Sequence, residues 1–472
     1  MAMESRNIIF IMLDTVRADL LMPYGGEART YAINDLARKG IRYEMAIAPG
    51  TYTLPSHLSM FTGLRVGSIR SLRESGMKHS DIMTDPLLEK LRHGSGTITT
   101  AQVMEYFGYR SALFSNNPFV SEATGLAKGF SHISNIFIDN KIKYGKLSVK
   151  AVLRLIESDI MRKSLIQLAC GISYAIPEKN LDRLYLSLRK NLNRHFSEEY
   201  GYNELDKGAA ETNRLLRSYL KSNSGGRNFI FLNYMEGHEG YPTGLITKSY
   251  VEQDKWLHMV GNANSEEVSV IRSAYIKRIE YLDSRIAEAI SIMKKSGVLD
   301  DATLIISSDH GQALMEHGTM FHNVHPYNEV SRVPLIISEF HSGRQIRNSA
   351  IVEEPFSLTE MHAMIAGRKP QDTQRPVITE HIGITEVWDA YLLRLLKKKS
   401  KNAESIYRKK IEQDMHATAV YKGRYKLVHF FCKRQDELYD LKEDPAETCN
   451  ILRERRRVAI ELLSHAQPIR SA

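Results

Sequence analysis

The chain has 472 residues, 43% hydrophobic and 25% charged, an ordinary balance for a soluble globular protein with room for a large core. Its three cysteines, Cys170, Cys432 and Cys449, include no Cys-x-x-Cys pair, which argues against both a disulfide framework and a thiolate zinc site. The net charge of +9 is concentrated: Lys141 to Arg194 holds twelve Lys/Arg against four Asp/Glu, so the basic balance describes one region and no nucleic-acid partner is expected.

The first apolar run, Ile8 to Leu13, has the length of a central parallel strand and is closed by Asp14. It is too short for a secretion signal or a membrane span, which gives the expectation of a cytoplasmic protein. Residues 30–40 read as a short helix ending at Gly40, and 97–107 as another. A second strand, Ser111 to Ser115, runs into Asn116, Asn117 and Pro118, and a third covers Asn228 to Leu232. Ile279, Leu282, Ile286, Ile290 and Met293 recur at helical spacing, Gly297 caps that helix, and a fourth strand spans Thr303 to Ser307. Strands alternating with helices predict an α/β fold with a large, mainly parallel mixed sheet flanked by helices.

Residues 136–222 interrupt this rhythm and read as a helical insertion with a basic outer face. Three roles suit it: a cap over the site, a funnel for anionic substrates, or peripheral membrane contact through 141–194. Beyond about 375 the short segments Ala417 to Tyr421, Tyr425 to Phe431 and Glu437 to Leu441 predict a small antiparallel sheet. The expected organisation is a catalytic domain over 1–375 and a C-terminal α+β subdomain over 376–472.

Three of the four strands end in polar residues of ligand type: Asp14, then Asn233 to His238, then Ser308-Asp309-His310. Ligands of open α/β sheets bind outside the carboxyl ends of the strands, so these residues are expected to converge. Asp14, Asp309, His310 and the hydroxyl of Thr53, which stands just before a predicted helix start, make a mixed O/N set suited to Zn²⁺ or Mn²⁺. For any one of these residues alone, a helix cap or turn is the competing role.

With these residues on the page, the chain resembles the sulfatase family of the alkaline-phosphatase superfamily. The likeness is carried by NIIFIMLDTVRAD (7–19), TYTLPSHLSMFTG (51–63), FLNYMEGHEGY (231–241), SSDHGQALMEHG (307–318), RVPLII (332–337) and ELYDLKEDPAETCNI (437–451), in the family's order. The resemblance implies that Asp14, Asp309 and His310 bind metal and that Thr53 is the nucleophile. It implies that His238 and His322 contact the anionic group or leaving oxygen, and it puts His57 and Asn117 among the substrate-binding candidates; His325, in the same neighbourhood, is a further candidate, with a supporting or polar loop role as the alternative. His322 replaces a frequent lysine and His57 an arginine. His317 reads as a neighbouring polar residue, and Arg17 as a salt-bridge partner near the metal.

Two departures bear on the chemistry. Leu13 replaces an aspartate often paired with Asp14, leaving fewer of the hard ligands that suit Ca²⁺, so Zn²⁺ or Mn²⁺ is expected, with Ca²⁺ or Mg²⁺ as the alternative. No cysteine is followed by x-Pro-x-Arg, the setting in which the family's cysteine becomes formylglycine. A formylglycine hydrate expels sulfate by collapsing to the aldehyde; a threonine ester has no such exit. The expectation is metal-dependent hydrolysis or transfer of a phosphate ester (diester or phosphonate type) by Thr53, on a small anionic substrate carried by a lipid or glycan. The alternatives are a sulfuric ester hydrolase without formylglycine and a catalytically silent anion-binding protein.

Overall fold

The computed structural model describes residues 7–68, 97–136, 205–223, 225–239, 265–322, 325–368, 375–382, 416–431 and 435–466. The segment 141–194, with its proposed membrane, funnel or cap role, lies outside them. Among the described residues no helix is long and apolar enough to cross a membrane.

The large sheet has ten strands among the described residues. Its centre is β1 (Asn7–Leu13), flanked by β5 (Asn228–Tyr234) and β6 (Asp301–Ser308), both parallel to it. Beyond β5 follow β3 (Arg110–Ser115) and β4 (His132–Asn135), also parallel. On the other side β9 (Arg332–His341) pairs antiparallel with both β6 and β2 (Ile41–Ile47). Short strands β10 (Arg344–Gln345), β11 (Ala350–Val352) and β12 (Phe356–Ser357) finish this edge. A two-stranded ribbon, β7 (Ala313–Leu314) and β8 (Met320–Phe321), stands beside the sheet. The α/β architecture expected from the sequence is present.

All seven residues of β1 are buried, because both faces of the sheet are covered. Ile9, Ile11 and Leu13 join one apolar cluster with helices α1 (Tyr31–Lys39), α4 (Ala209–Asn223) and α5 (Ser265–Lys295). Ile8, Phe10 and Met12 face the other way, toward α2 (Thr53–Thr62), α3 (Thr100–Tyr106) and α7 (Met361–Ile365); the single turn α6 (Asn328–Ser331) leads into β9. The two-residue alternation of a strand therefore builds both cores at once. Helix α4 falls within the span read as an insertion, yet Leu216, Tyr219 and Leu220 pack it into the first of these cores.

The C-terminal sheet has the order β13 (Val377–His381), β14 (Ala417–Lys422), β15 (Tyr425–Phe430) and β16 (Glu437–Asp440), all antiparallel. Val420, Leu427 and Leu438 on one face pack against α8 (Arg456–Ala466). Ala419, Tyr421 and Val428 on the other pack against Ile47 and Tyr327 of the larger unit. Within that seam Lys426 and Glu447, both essentially inaccessible to water, form an ion pair at 2.5 Å. The two units also meet along the backbone: Glu380 N donates to Pro49 O at 2.9 Å, and Thr51 Oγ1 lies 2.9 Å from His381 Nδ1. Strand β13 therefore braces the loop that leads into α2.

Candidate metal and nucleophile site

The carboxyl ends of β1, β3, β5 and β6 meet the N-terminus of α2. Helix α2 starts after Tyr52, which is extended and supplies no side-chain cap, and Pro55 occupies its first turn, where a missing N–H costs nothing. Its first residue is Thr53, whose side chain faces the ends of the strands. Gly63 closes the helix at a positive φ, and all ten helical residues are buried. The nucleophile candidate is thus carried on a helix fixed on every side.

Asp14 and Asp309 are fully buried next to one another. Thr15 Oγ1 donates to Asp14 Oδ1 at 2.6 Å and Asn117 Nδ2 to Asp14 Oδ2 at 2.6 Å. Asp309 Oδ1 accepts from Thr15 N at 3.1 Å and from His310 N at 3.0 Å. Thr15 takes a left-handed φ of 64°, a strained state for a β-branched residue, and Tyr275 of α5 pins it by donating to its carbonyl at 2.5 Å. Gly237, in the loop after β5, lies so close that a Cβ there would meet Asp14 O at 2.4 Å. Only glycine lets this loop approach the end of β1.

His310 Nδ1 lies 3.0 Å from Gly311 O, which places its proton on that nitrogen and leaves the Nε2 lone pair facing Thr53 Oγ1 at 3.4 Å. Asn117 Nδ2 is also 3.4 Å from Thr53 Oγ1. Asp309 Oδ2 accepts no hydrogen bond although it is buried, and His310 Nε2 stands 3.5 Å from it. Donor atoms of Asp14, Asp309 and His310 all lie within 4.8 Å of one another. Burial, and then repulsion from Asp309, pushes Asp14 up to about 6; burial also pushes Asp309 up. Burial followed by the neighbouring His322 brings His310 down to about 4, so its imidazole is neutral. Two repelling carboxylates, a neutral imidazole and an unsatisfied oxygen fit a divalent cation, which reverses the penalty on both acids.

The other candidates fall into three groups. His238 and His322 stand together beside this cluster, with ring centroids 5.0 Å apart and His322 4.6 Å from His310. His57 is fully buried one turn along α2, its Nδ1 3.0 Å from Thr53 O and 3.6 Å from Asp309 Oδ2, its ring edge-on to Phe61 and Phe231. Burial pushes it down, so it lies against the Thr53 carbonyl as a neutral ring. His325 is buried against Tyr327 and Phe430 in the seam with the C-terminal sheet, where His317 stacks on Tyr327 and pairs with Glu329 at 2.8 Å. Arg17 pairs with Asp19 at 2.7 Å and with Glu316.

Two residues absent from the sequence reading complete the surroundings. Glu239 places Oε2 3.2 Å from His238 Nδ1 and 3.3 Å from His322 Nδ1. Lys207 donates through Nζ to the carbonyls of both His238 and Glu239, and burial brings it down to about 7. Glu239 adjoins His238 in the sequence, a signal that was available; Lys207 lies thirty-one residues from His238 in the chain and had none.

The model of the family described as Sulfatase matches residues 6–366. This chain belongs to the sulfatase family. The choline-sulfatase of Rhizobium meliloti (strain 1021) is 25% identical over 193 residues, covering 40% of this chain and 35% of that protein. The arylsulfatase of Volvox carteri is 25% identical over 255 residues, 46% of this chain and 38% of its own length. The matches thus span little more than a third of these relatives. Among solved structures, the phosphonate monoester hydrolase of Agrobacterium radiobacter superposes with a TM-score of 0.61 at 17% identity, covering 97% of this chain and 94% of that one. A 2-O GAG sulfatase gives 0.62 at 14%, covering 98% and 93%. These likenesses establish an alkaline-phosphatase-like fold.

Proposed function

We propose that this sulfatase-family chain is a metal-dependent phosphate-ester hydrolase or transferase acting on diesters or phosphonate-type esters, with Thr53 as nucleophile. The observation that carries this reading is the Thr53 hydroxyl at the buried start of α2, 3.4 Å from both His310 Nε2 and Asn117 Nδ2, where the family's formylglycine would stand. Asp14, Asp309, His310 and Thr53 would hold a Zn²⁺ or Mn²⁺ ion, whose positive charge would acidify the hydroxyl and neutralise non-bridging oxygens. Thr53 Oγ1 forms the new bond to phosphorus as it gives up its proton, and the bond from phosphorus to the leaving oxygen breaks. His238 or His322, on the same side of the cluster, supplies the proton that the departing oxygen takes up. Water or an alcohol then attacks the phosphothreonine and restores the hydroxyl; water makes the chain a hydrolase and an alcohol a transferase.

A singly charged ester suits a site with few fixed cations, and the phosphonate monoester hydrolases among the structural neighbours support the choice. Initial rates on an aryl phosphodiester, a phenylphosphonate ester and an aryl sulfate test it. Metal-dependent turnover of the first two is expected, and aryl sulfatase activity without phosphodiesterase activity sinks the reading. That outcome is the second reading, sulfuric ester hydrolysis, which family membership itself favours. Bound metal with no turnover on the whole panel leaves an anion-binding protein.

A further inference from the structure

We propose that Lys207 and Glu236 are positioning residues for His238: each binds the backbone of the segment that carries the other, and the clamp they form aims the His238 imidazole at the leaving oxygen. That last consequence rests on the phosphoryl reading, whereas the clamp itself does not.

The two segments are the turn that opens α4 and the loop after β5. Glu236 is wholly buried, and its Oε1 accepts from Lys207 N at 2.8 Å and from Ala209 N at 3.0 Å. In return Lys207 Nζ donates to the carbonyls of His238 and Glu239. The carboxylate of the loop thus holds the turn, and the ammonium of the turn holds the loop.

Helix capping alone does not account for this arrangement. Asp206 already serves the start of α4, accepting from Gly208 N at 2.7 Å and from Ala210 N at 3.0 Å, and Tyr281 of α5 donates to it at 2.6 Å. The Lys207 bonds satisfy no helix end; they fall on two consecutive carbonyls of an irregular loop. Burial opposes both charges, pushing Glu236 up to about 7 and bringing Lys207 down to about 7. Each charge is kept at a cost that its bonds to backbone groups offset.

The loop held in this way carries a proton donor of the proposed reaction. His238 Nδ1 stands 3.2 Å from Glu239 Oε2, so fixing the His238 and Glu239 carbonyls sets both the ring and the carboxylate it faces. Gly237 seats the same loop against the end of β1, where a Cβ would meet Asp14 O at 2.4 Å and Val16 Cγ2 at 2.7 Å. His238 is thereby held between the start of α4 and the end of β1. A misplacement of about 1 Å can cost about a hundredfold in rate. The clamp therefore matters most where the leaving oxygen needs a proton.

The test compares kcat on two aryl phosphodiesters with the zinc-loaded full chain. One releases 4-nitrophenol, which departs readily as its anion; the other releases phenol, which needs a proton. His238→Ala, Lys207→Met and Glu236→Ala are each expected to lose about 10- to 100-fold more on the phenyl ester than on the nitrophenyl ester, with KM little changed. Glu236→Gln keeps an acceptor oxygen for both N–H groups and is expected to stay near the wild-type ratio. Equal losses on the two esters, or a loss confined to KM, overturn the positioning role.

No wild-type turnover of either ester sinks the phosphoryl reading, and backbone hydrogen exchange then decides the clamp. Lys207→Met is expected to speed exchange across residues 235–239 at least about tenfold while the middle of α4 stays protected. Unchanged exchange in the loop, or equal loosening of α4, overturns the clamp. Should circular dichroism show that Lys207→Met does not fold, Lys207→Gln, too short to reach both carbonyls, takes its place in both measurements.

Discussion

Thr53 Oγ1 stands 3.4 Å from His310 Nε2, the nitrogen left unprotonated because the ring's other nitrogen faces Gly311 O at 3.0 Å. A hydroxyl so placed can lose its proton to no strong base nearby, since burial brings His310 down to about 4. In the proposed mechanism its activation would therefore come from a cation held by Asp14, Asp309 and His310. Thr53→Ala is expected to lower turnover of an aryl phosphodiester by at least about a thousandfold, with metal content falling little, because Asp14, Asp309 and His310 remain. Thr53→Ser should keep most of the activity. Intact-mass measurement after substrate quenching should show a phosphate adduct on the wild type and none on Thr53→Ala.

Asn117 bridges Asp14 and Thr53 from one amide nitrogen, 2.6 Å from Asp14 Oδ2 and 3.4 Å from Thr53 Oγ1. Groups that orient metal ligands typically matter about 10- to 100-fold when lost. Asn117→Ala is expected to lower kcat by that range and to weaken metal binding. An unchanged kcat with raised KM would assign Asn117 to substrate binding alone.

The carboxylates give a pH dependence of defined sign. In the metal-free chain Asp14 is pushed up to about 6 from 3.8, so between those values the folded state holds more protons than the unfolded one. Its contribution to stability is therefore present at low pH and is lost as pH rises through about 6. Chelator-treated Asp14→Asn is expected to be more stable than wild type at pH 7, by about 2–3 kcal/mol, with the gap closing toward pH 4. Adding zinc should reverse the order. Thermal unfolding of both proteins, with and without metal, checks the sign.

Much of this was legible from local pattern. The uninterrupted apolar runs of β1 and β6 and the polar residues at their ends were visible because a strand covered on both faces needs no polar alternation. Strand β2 was harder to see, since Arg42 and Glu44 interrupt it, pairing with each other across the strand's half-exposed face. β9 appeared only as a family block, because nothing local says that an antiparallel strand will close a parallel sheet. At the site, Asp14, Thr53, Asp309 and His310 were legible as strand-end and helix-start residues. His57, a substrate-binding candidate by sequence, faces the Thr53 carbonyl, a direction set by α2 being buried all round. Lys207 was hidden by its setting in a charged stretch that looked like a solvated face.

The seam between the two sheets gives a stability test remote from the chemistry. Removing one partner of a buried ion pair leaves the other charge unpaired, at a cost of about 3–5 kcal/mol. Lys426→Met is expected to lose that much in chemical denaturation, whereas Lys426→Met/Glu447→Leu should recover most of it. Equal losses in the two proteins would show that packing, not charge, holds the seam.

The brace of β13 on the loop before α2 has a consequence for timing. Pro49 and Thr51 are anchored by Glu380 and His381, more than three hundred residues later in the chain. During synthesis the segment bearing Thr53 emerges early, but its anchor arrives only after Asp309 and His310 have already been made. The Thr53 hydroxyl is thus braced only once β13 has been made, and a ribosome-bound fragment lacking β13 has the chemical groups without the latch that aims them.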